Sequence, residues 1–185
     1  MHPPKKLVPI MNFRQMAIAL LSLLAGALVY LADRPPEATW FVQNLPFNLS
    51  LHNYAGGFLG GLGKFLPAFV HVFAFSVLTA AVLGETRMIR LNACLFWLAA
   101  DTAFELGQKF PDQAVKLVPG WFSQVPILDQ TSHYFMNGSY HPLDVLAGVA
   151  GAAAAYFILS ITTQSHPSKQ SQPINRHDQQ EEGIA

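Results

Sequence analysis

The sequence predicts an all-α integral membrane protein, a bundle of four transmembrane helices joined by two long external loops. Three observations predict it. Hydrophobic residues make up 51% of the 185-residue chain and charged residues only 12%, against about a quarter charged in an ordinary soluble domain. The mean hydropathy is +0.28. The apolar residues are gathered into four long runs rather than spread over amphipathic stripes, as a soluble bundle would require.

The first run, residues 16–32 (MAIALLSLLAGALVYLA), follows Lys5, Lys6 and Arg14. It is longer than a usual signal core and no clean A-x-A cleavage pattern follows, so it reads as an uncleaved anchor. The others are 66–84 (LPAFVHVFAFSVLTAAVLG), 91–107 (LNACLFWLAADTAFELG) and 143–162 (LDVLAGVAGAAAAYFILSIT). At helical rise each covers roughly 26 to 30 Å, close to the hydrocarbon thickness of a bilayer. Residues 1–15 form a cytoplasmic N-terminal segment, 16–163 the transmembrane domain and 164–185, polar and Gln-rich, a disordered tail.

Orientation follows from Lys and Arg near the helix ends. With a cytoplasmic N-terminus, the inner segments hold Lys5, Lys6, Arg14, Arg87, Arg90, Lys169 and Arg176, and the outer loops only Arg34, Lys64, Lys109 and Lys116. Both termini are therefore expected inside the plasma membrane. The outer loops, about 33–65 and 108–142, carry Asn-x-Ser sequons at Asn48 and Asn137 and most of the aromatic clusters. Interfacial anchoring accounts for most of those rings. The glycine-rich stretch 55–65 reads as a flexible or re-entrant connector, because it lacks the GK[ST] ending of a phosphate loop.

Several chemistries are excluded or unsupported. Eleven basic residues balance eleven acidic ones, so no net field recruits nucleic acid. The single cysteine, Cys94, rules out an internal disulfide and a Cys-cluster metal site. No HExxH spacing or nucleophile elbow occurs, although His133 and His141 could extend a metal site around His71, Glu105 and Asp144. No cofactor is assigned.

The third run carries Asp101, Glu105 and Gln108, spaced four and three apart and hence on one helical face. Asp101 lies about 9 Å inside the end of its run, where exposure to lipid would be costly. Alternation of antiparallel spans puts the end of the third helix on the same side of the membrane as the starts of the second and fourth. His71 and Asp144 thus fall in the same leaflet as the acidic face, and the charge bias makes it the outer one. Asp144 shares a stripe of small residues, Gly148, Gly151, Ala152 and Ala155, which directs its carboxylate into the bundle. Taken singly, Asp144 serves as a helix-start charge, Glu105 and Gln108 can reach interfacial water, and His71 can be a helix–helix hydrogen bond. Their joint placement marks His71, Asp101, Glu105, Gln108 and Asp144 as a candidate site.

His71 in KFLPAFVHVFAF, Glu105 and Gln108 in FELGQKF, and Asp144 in HPLDVLAGVAGA together resemble the pattern of the VanZ-like family of small multi-helix membrane proteins, over roughly residues 64–160. The resemblance implies an integral membrane protein, from a family whose founding member is associated with resistance to a glycopeptide antibiotic. It groups His71, Glu105, Gln108 and Asp144 without naming a substrate.

Three functions compete. One is a site that binds or modifies a lipid or cell-envelope precursor at the outer leaflet, with Glu105 or Asp101 and His71 as the acid/base couple. Another is a proton-coupled transporter, for which a homo-oligomer could build the path. The third is a non-catalytic assembly or binding subunit. A transporter predicts a polar track to the inner leaflet, where the helices offer only Ser22, Ser76, Thr79, Asn92 and Ser160.

Overall fold

The structure, a computed structural model, describes residues 11–33, 60–126 and 128–163. The expectations for the 164–185 tail, the Asn48 sequon, Gly56, Gly57 and the aromatic group Trp40, Phe41, Phe47 and Tyr54 lie outside the described residues. Every regular element among the described residues is helical. Four long helices, α1 (Phe13–Asp33), α2 (Gly61–Leu83), α3 (Arg87–Lys109) and α6 (Pro142–Thr162), contain the four apolar runs except for Gly84. Between α3 and α6 lie two short helices, α4 (Pro111–Leu117) and α5 (Thr131–Asn137), and two 3-10 turns.

Three of the long helices, α1, α2 and α6, are long and apolar enough to cross a membrane. The remaining one, α3, matches α2 at 23 residues. It falls short in hydropathy because Arg90, Asn92, Asp101, Glu105 and Gln108 interrupt its apolar sequence.

Local chemistry sets the helix ends. Gly60 at the start of α2 and Gly84 after its end hold φ of +51° and +126°, a region that glycine enters without a Cβ clash. The Thr86 side chain accepts the Ile89 N–H at 3.2 Å and caps α3. Pro111 and Pro142 occupy first-turn positions of α4 and α6, where the missing N–H costs no helical bond. The glycine-rich stretch is not a connector along its whole length: Gly61, Gly63 and Lys64 already belong to the first turn of α2.

Helix α2 is the centre of the bundle and packs against α1, α3 and α6. Its Val72, Ala74, Val77 and Ala80 meet Ala19 of α1, Ala93 and Cys94 of α3, and Ala155 and Leu159 of α6. The small-residue stripe of α6 is buried as its spacing predicts. A methyl group added at Gly151 would lie 2.5 Å from the Phe69 carbonyl oxygen, so here two backbones touch. Large apolar side chains face outward instead, among them Leu21, Leu24, Phe96, Leu146 and Phe157. Such a belt is costly in water and ordinary against lipid.

Opposite the acidic face, the helix ends are tied by hydrogen bonds. Asn12 donates from its backbone to the Ala81 carbonyl at 3.1 Å and from its side chain to the Thr162 carbonyl at 3.2 Å and to Glu85. Gln15 donates to the Thr162 hydroxyl at 3.0 Å, and Arg90 donates to the Leu159 carbonyl at 3.3 Å and to the Thr163 hydroxyl. Asn12 and Gln15 are almost wholly buried. The serines that the sequence singled out at this end mostly stay within their own helices: Ser22 bonds the Ile18 carbonyl and Ser160 that of Tyr156.

The 108–142 segment, expected as a loop, folds back on α3. Phe135 of α5 is buried against Gly107, where a methyl group would meet its ring at 2.5 Å. Interfacial anchoring therefore does not describe Phe135, whose ring packs inside the protein.

Candidate functional site

A cavity of about 1160 Å³ occupies the end of the bundle where α1 and α3 finish and α2 and α6 begin. All five residues singled out in the sequence line it: His71, Asp101, Glu105, Gln108 and Asp144. The structure thus brings together side chains from α2, α3 and α6, as antiparallel threading requires. Lys64, His133 and His141 line it too.

Each side chain has a local reason for its position. Asp101 faces α6 where that helix is thinnest: a methyl group at Gly148 would stand 2.9 Å from Asp101 Oδ2. The absence of a side chain there makes room for the carboxylate. Glu105, one turn further along α3, is 8% exposed, and its neighbours include the Asp101 and Asp144 carboxylates and the backbone N–H of His141. Asp101 Oδ2 and Glu105 Oε2 are both buried without a hydrogen-bond partner. Native proteins seldom leave such atoms unmatched, because a desolvated acceptor without a donor costs free energy. Gln108 lies against Gly138, the residue that ends α5.

His71 opens onto the cavity from α2 and begins an aromatic series. Its ring lies 6.0 Å from that of Phe75, and Phe75 stacks on Trp97 of α3 at 4.7 Å. Trp97 Nε1 donates to the Thr79 hydroxyl at 2.8 Å, which fixes α3 against α2 just below the cavity. His141 is the N-cap of α6, with Nδ1 accepting the Leu143 N–H at 3.2 Å. That nitrogen is therefore occupied. Asp144 sits in the first turn of the same helix, where a carboxylate complements the helix dipole.

The sequence did not single out Tyr30, Asp33 and Tyr134 as part of the site, yet all three line the cavity. Burial, then the negative charge of Glu105 and, more weakly, that of Asp101 and Asp144, pushes the Tyr134 phenol up to about 12. It remains a neutral hydroxyl at ordinary pH although 44% of its surface is open. The one sequence signal for it was aromatic density in the 108–142 segment. Lys109, at the end of α3, lies over the Phe110 and Tyr140 rings at 5.6 and 5.1 Å.

On the other side of the α3 end, Phe104, Gly107, Leu117, Phe122 and Phe135 line an apolar groove of about 450 Å³. Phe104 contacts both Tyr134 and Phe135, at 6.0 and 5.6 Å between ring centroids. One wall therefore separates a polar cavity from an apolar groove. No group of three or more His, Cys, Asp or Glu side chains among the described residues is close enough to hold a metal ion.

Comparison of the chain with protein-family models, curated proteins and solved structures finds no match.

Proposed function

We propose that this is a four-span plasma-membrane protein, VanZ-like in its site pattern, whose cavity opens at the outer leaflet and binds or modifies the head group of a lipid or lipid-linked envelope precursor. One observation carries this reading. A cavity whose lining includes His71 of α2, Asp101, Glu105 and Gln108 of α3 and Asp144 of α6 adjoins an apolar groove and a belt of outward-facing apolar side chains. A lipid has that same division between polar head and apolar tail. In this reading α3 is the fourth span, its polar face turned to the cavity and Leu95 and Phe96 turned to lipid, and both termini are cytoplasmic.

Glu105 or Asp101 would exchange a proton with the bound head group, with His71 as the second member of the couple. The Tyr134 hydroxyl adds a neutral donor that does not compete for that proton. Transport is less favoured, because the opposite end of the helices is tied by Asn12, Gln15, Thr162 and Arg90 rather than lined by a water path. An assembly role through the small-residue face of α6 is also less favoured, since α2 already covers it.

The test is native mass spectrometry of the protein released from bilayers of mixed envelope lipids. Wild-type protein should retain lipid at defined stoichiometry, and His71→Ala and Glu105→Gln should lose it with helicity intact. Equal retention by all three, or no lipid beyond a non-specific shell, would overturn the proposal.

A further inference from the structure

The apolar groove of about 450 Å³ has a lining unlike that of the cavity. Ala103 and Leu106 of α3, Phe110 at the junction of α3 and α4, Ala114 and Leu117 of α4, and Phe122 of the following 3-10 turn form its walls. Gln113 and Thr131 are the polar side chains among its lining residues, and none of the lining residues is charged. Two observations outside the groove bear on what fills it. On α3, Leu91, Leu95, Ala99, Ala103 and Leu106, with Phe110 at the C-cap, are all exposed and recur every three or four residues, so they share one face. The last three of them line the groove. With α3 as a span, this apolar stripe faces acyl chains along its length, and the groove is its outer end. The segment that folds back on α3 is open in the same way: Leu117 is 81% and Trp121 56% exposed, and Val125 is exposed too. Such a surface is costly in water and ordinary among lipid chains, and an indole sits well at the membrane interface.

We infer that the groove seats one acyl chain of a membrane phospholipid, and that residues 110–125 lie within the outer leaflet rather than in the water above it. The chain follows the α3 stripe and passes between α3 and the segment from α4 to Phe122. By helical rise Ala103 lies about 9 Å below Lys109, so the groove reaches from the head-group level into the hydrocarbon. Lys109 and Lys116 stand next in the chain to the lining residues Phe110 and Leu117, and the acid of α4, Asp112, offsets only one of them. The lysines can keep their ammonium groups at the phosphate level while their stems lie along apolar surface. A helix from a second copy fits less well. At about 10 Å across and 5.4 Å per turn, a helix fills about 420 Å³ in each turn, so the groove would admit about one turn of it. This inference rests on the proposal that α3 spans the membrane, and it is independent of what fills the cavity.

The test is photolabelling of the full chain in nanodiscs of phosphatidylcholine that contain a trace of phosphatidylcholine with a diazirine on its acyl chain. Peptide mass spectrometry then reads insertion residue by residue. Leu95 and Phe96 report whether α3 meets lipid, and Phe110 and Phe122 report the groove. Wild-type protein should be labelled in both places. Ala114→Trp fills the groove, and Leu117→Glu sets a carboxylate in its wall at a position too exposed to disturb the packing of the helices. Each should lower labelling of Phe110 and Phe122 about tenfold and leave Leu95 and Phe96 unchanged. His71→Ala, in the cavity, should change neither. Labelling of Phe110 and Phe122 that is equal in wild type and both variants overturns the inference and leaves α3 as a span. Labelling confined to Leu95 and Phe96 does the same, and means that protein covers the groove, from this copy or a second. Absence of label from all four residues overturns the inference and the span together.

Discussion

Alanine at Gly148 and at Gly151 separates the site from the scaffold. Both glycines lie on the buried face of α6, one turn apart, and in an isolated helix either change would gain about 1 kcal/mol of propensity. Their surroundings differ. At Gly151 the new methyl carbon meets the Phe69 carbonyl oxygen at 2.5 Å, with the Phe69 carbonyl carbon and Cα both at 3.3 Å. Ordinary contact begins at about 3.4 Å, so the α2 and α6 backbones must part by most of an ångström. Overpacking of this kind costs about 1 to 3 kcal/mol, which outweighs or cancels the propensity gain. At Gly148 the nearest atom is Asp101 Oδ2 at 2.9 Å, the mobile end of a side chain, with Leu98 and Val72 at 3.5 Å. Rotating the carboxylate out of its rotamer costs about 0.5 to 1.5 kcal/mol, close to what propensity returns.

Gly148→Ala should therefore leave stability within about 1 kcal/mol of wild type while displacing Asp101 and weakening ligand retention. Gly151→Ala should lower stability by up to about 2 kcal/mol while its folded fraction still binds. Reversible unfolding in mixed micelles, read by circular dichroism, gives the stabilities, and native mass spectrometry gives retention. The reasoning is refuted if Gly151→Ala is more stable than wild type, or if Gly148→Ala binds normally.

Glu105→Gln should raise the stability of the ligand-free protein by about 1 to 2 kcal/mol, because a buried charge next to two other carboxylates is replaced by a neutral amide; a fall in midpoint on detergent titration contradicts this. Trp97→Phe removes the 2.8 Å bond to Thr79 and should cost about 0.6 to 1.7 kcal/mol, with most of the loss absent in a Thr79→Val background. Additive losses in that double-mutant cycle would show that the bond carries no weight. Tyr134 binds its proton more tightly folded than unfolded, so its contribution is complete below pH about 10 and is lost as pH rises towards about 12. Near-ultraviolet absorbance should show a last phenolate step there, absent in Tyr134→Phe. If that variant keeps the step, another tyrosine is the buried one.

Much of this was legible in the sequence because it depends on local order. Apolar runs long enough to span a bilayer fix where the helices lie, and helical periodicity alone puts Asp101, Glu105 and Gln108 on one face. Alternation of span direction then brings His71 and Asp144 to the same end, with no knowledge of which helix touches which. The VanZ-like resemblance, the external position of the loops and a function for the cavity are not reached by that logic and stand as proposals.

The tertiary structure decided what depends on contacts between segments distant in the chain. Residues 131–137 read as loop until Phe135 finds the bare backbone of Gly107, and the helix so placed brings Tyr134 to the cavity. Asn12 and Gln15 lie in or beside the positively charged N-terminal stretch, with nothing local to mark them as structural. They become a clamp because Thr162, some 150 positions away, ends α6 beside them. Periodicity fixes the direction of a side chain about its own axis. Whether a partner stands there is a matter of interhelix distance, set by where glycine and alanine allow close approach.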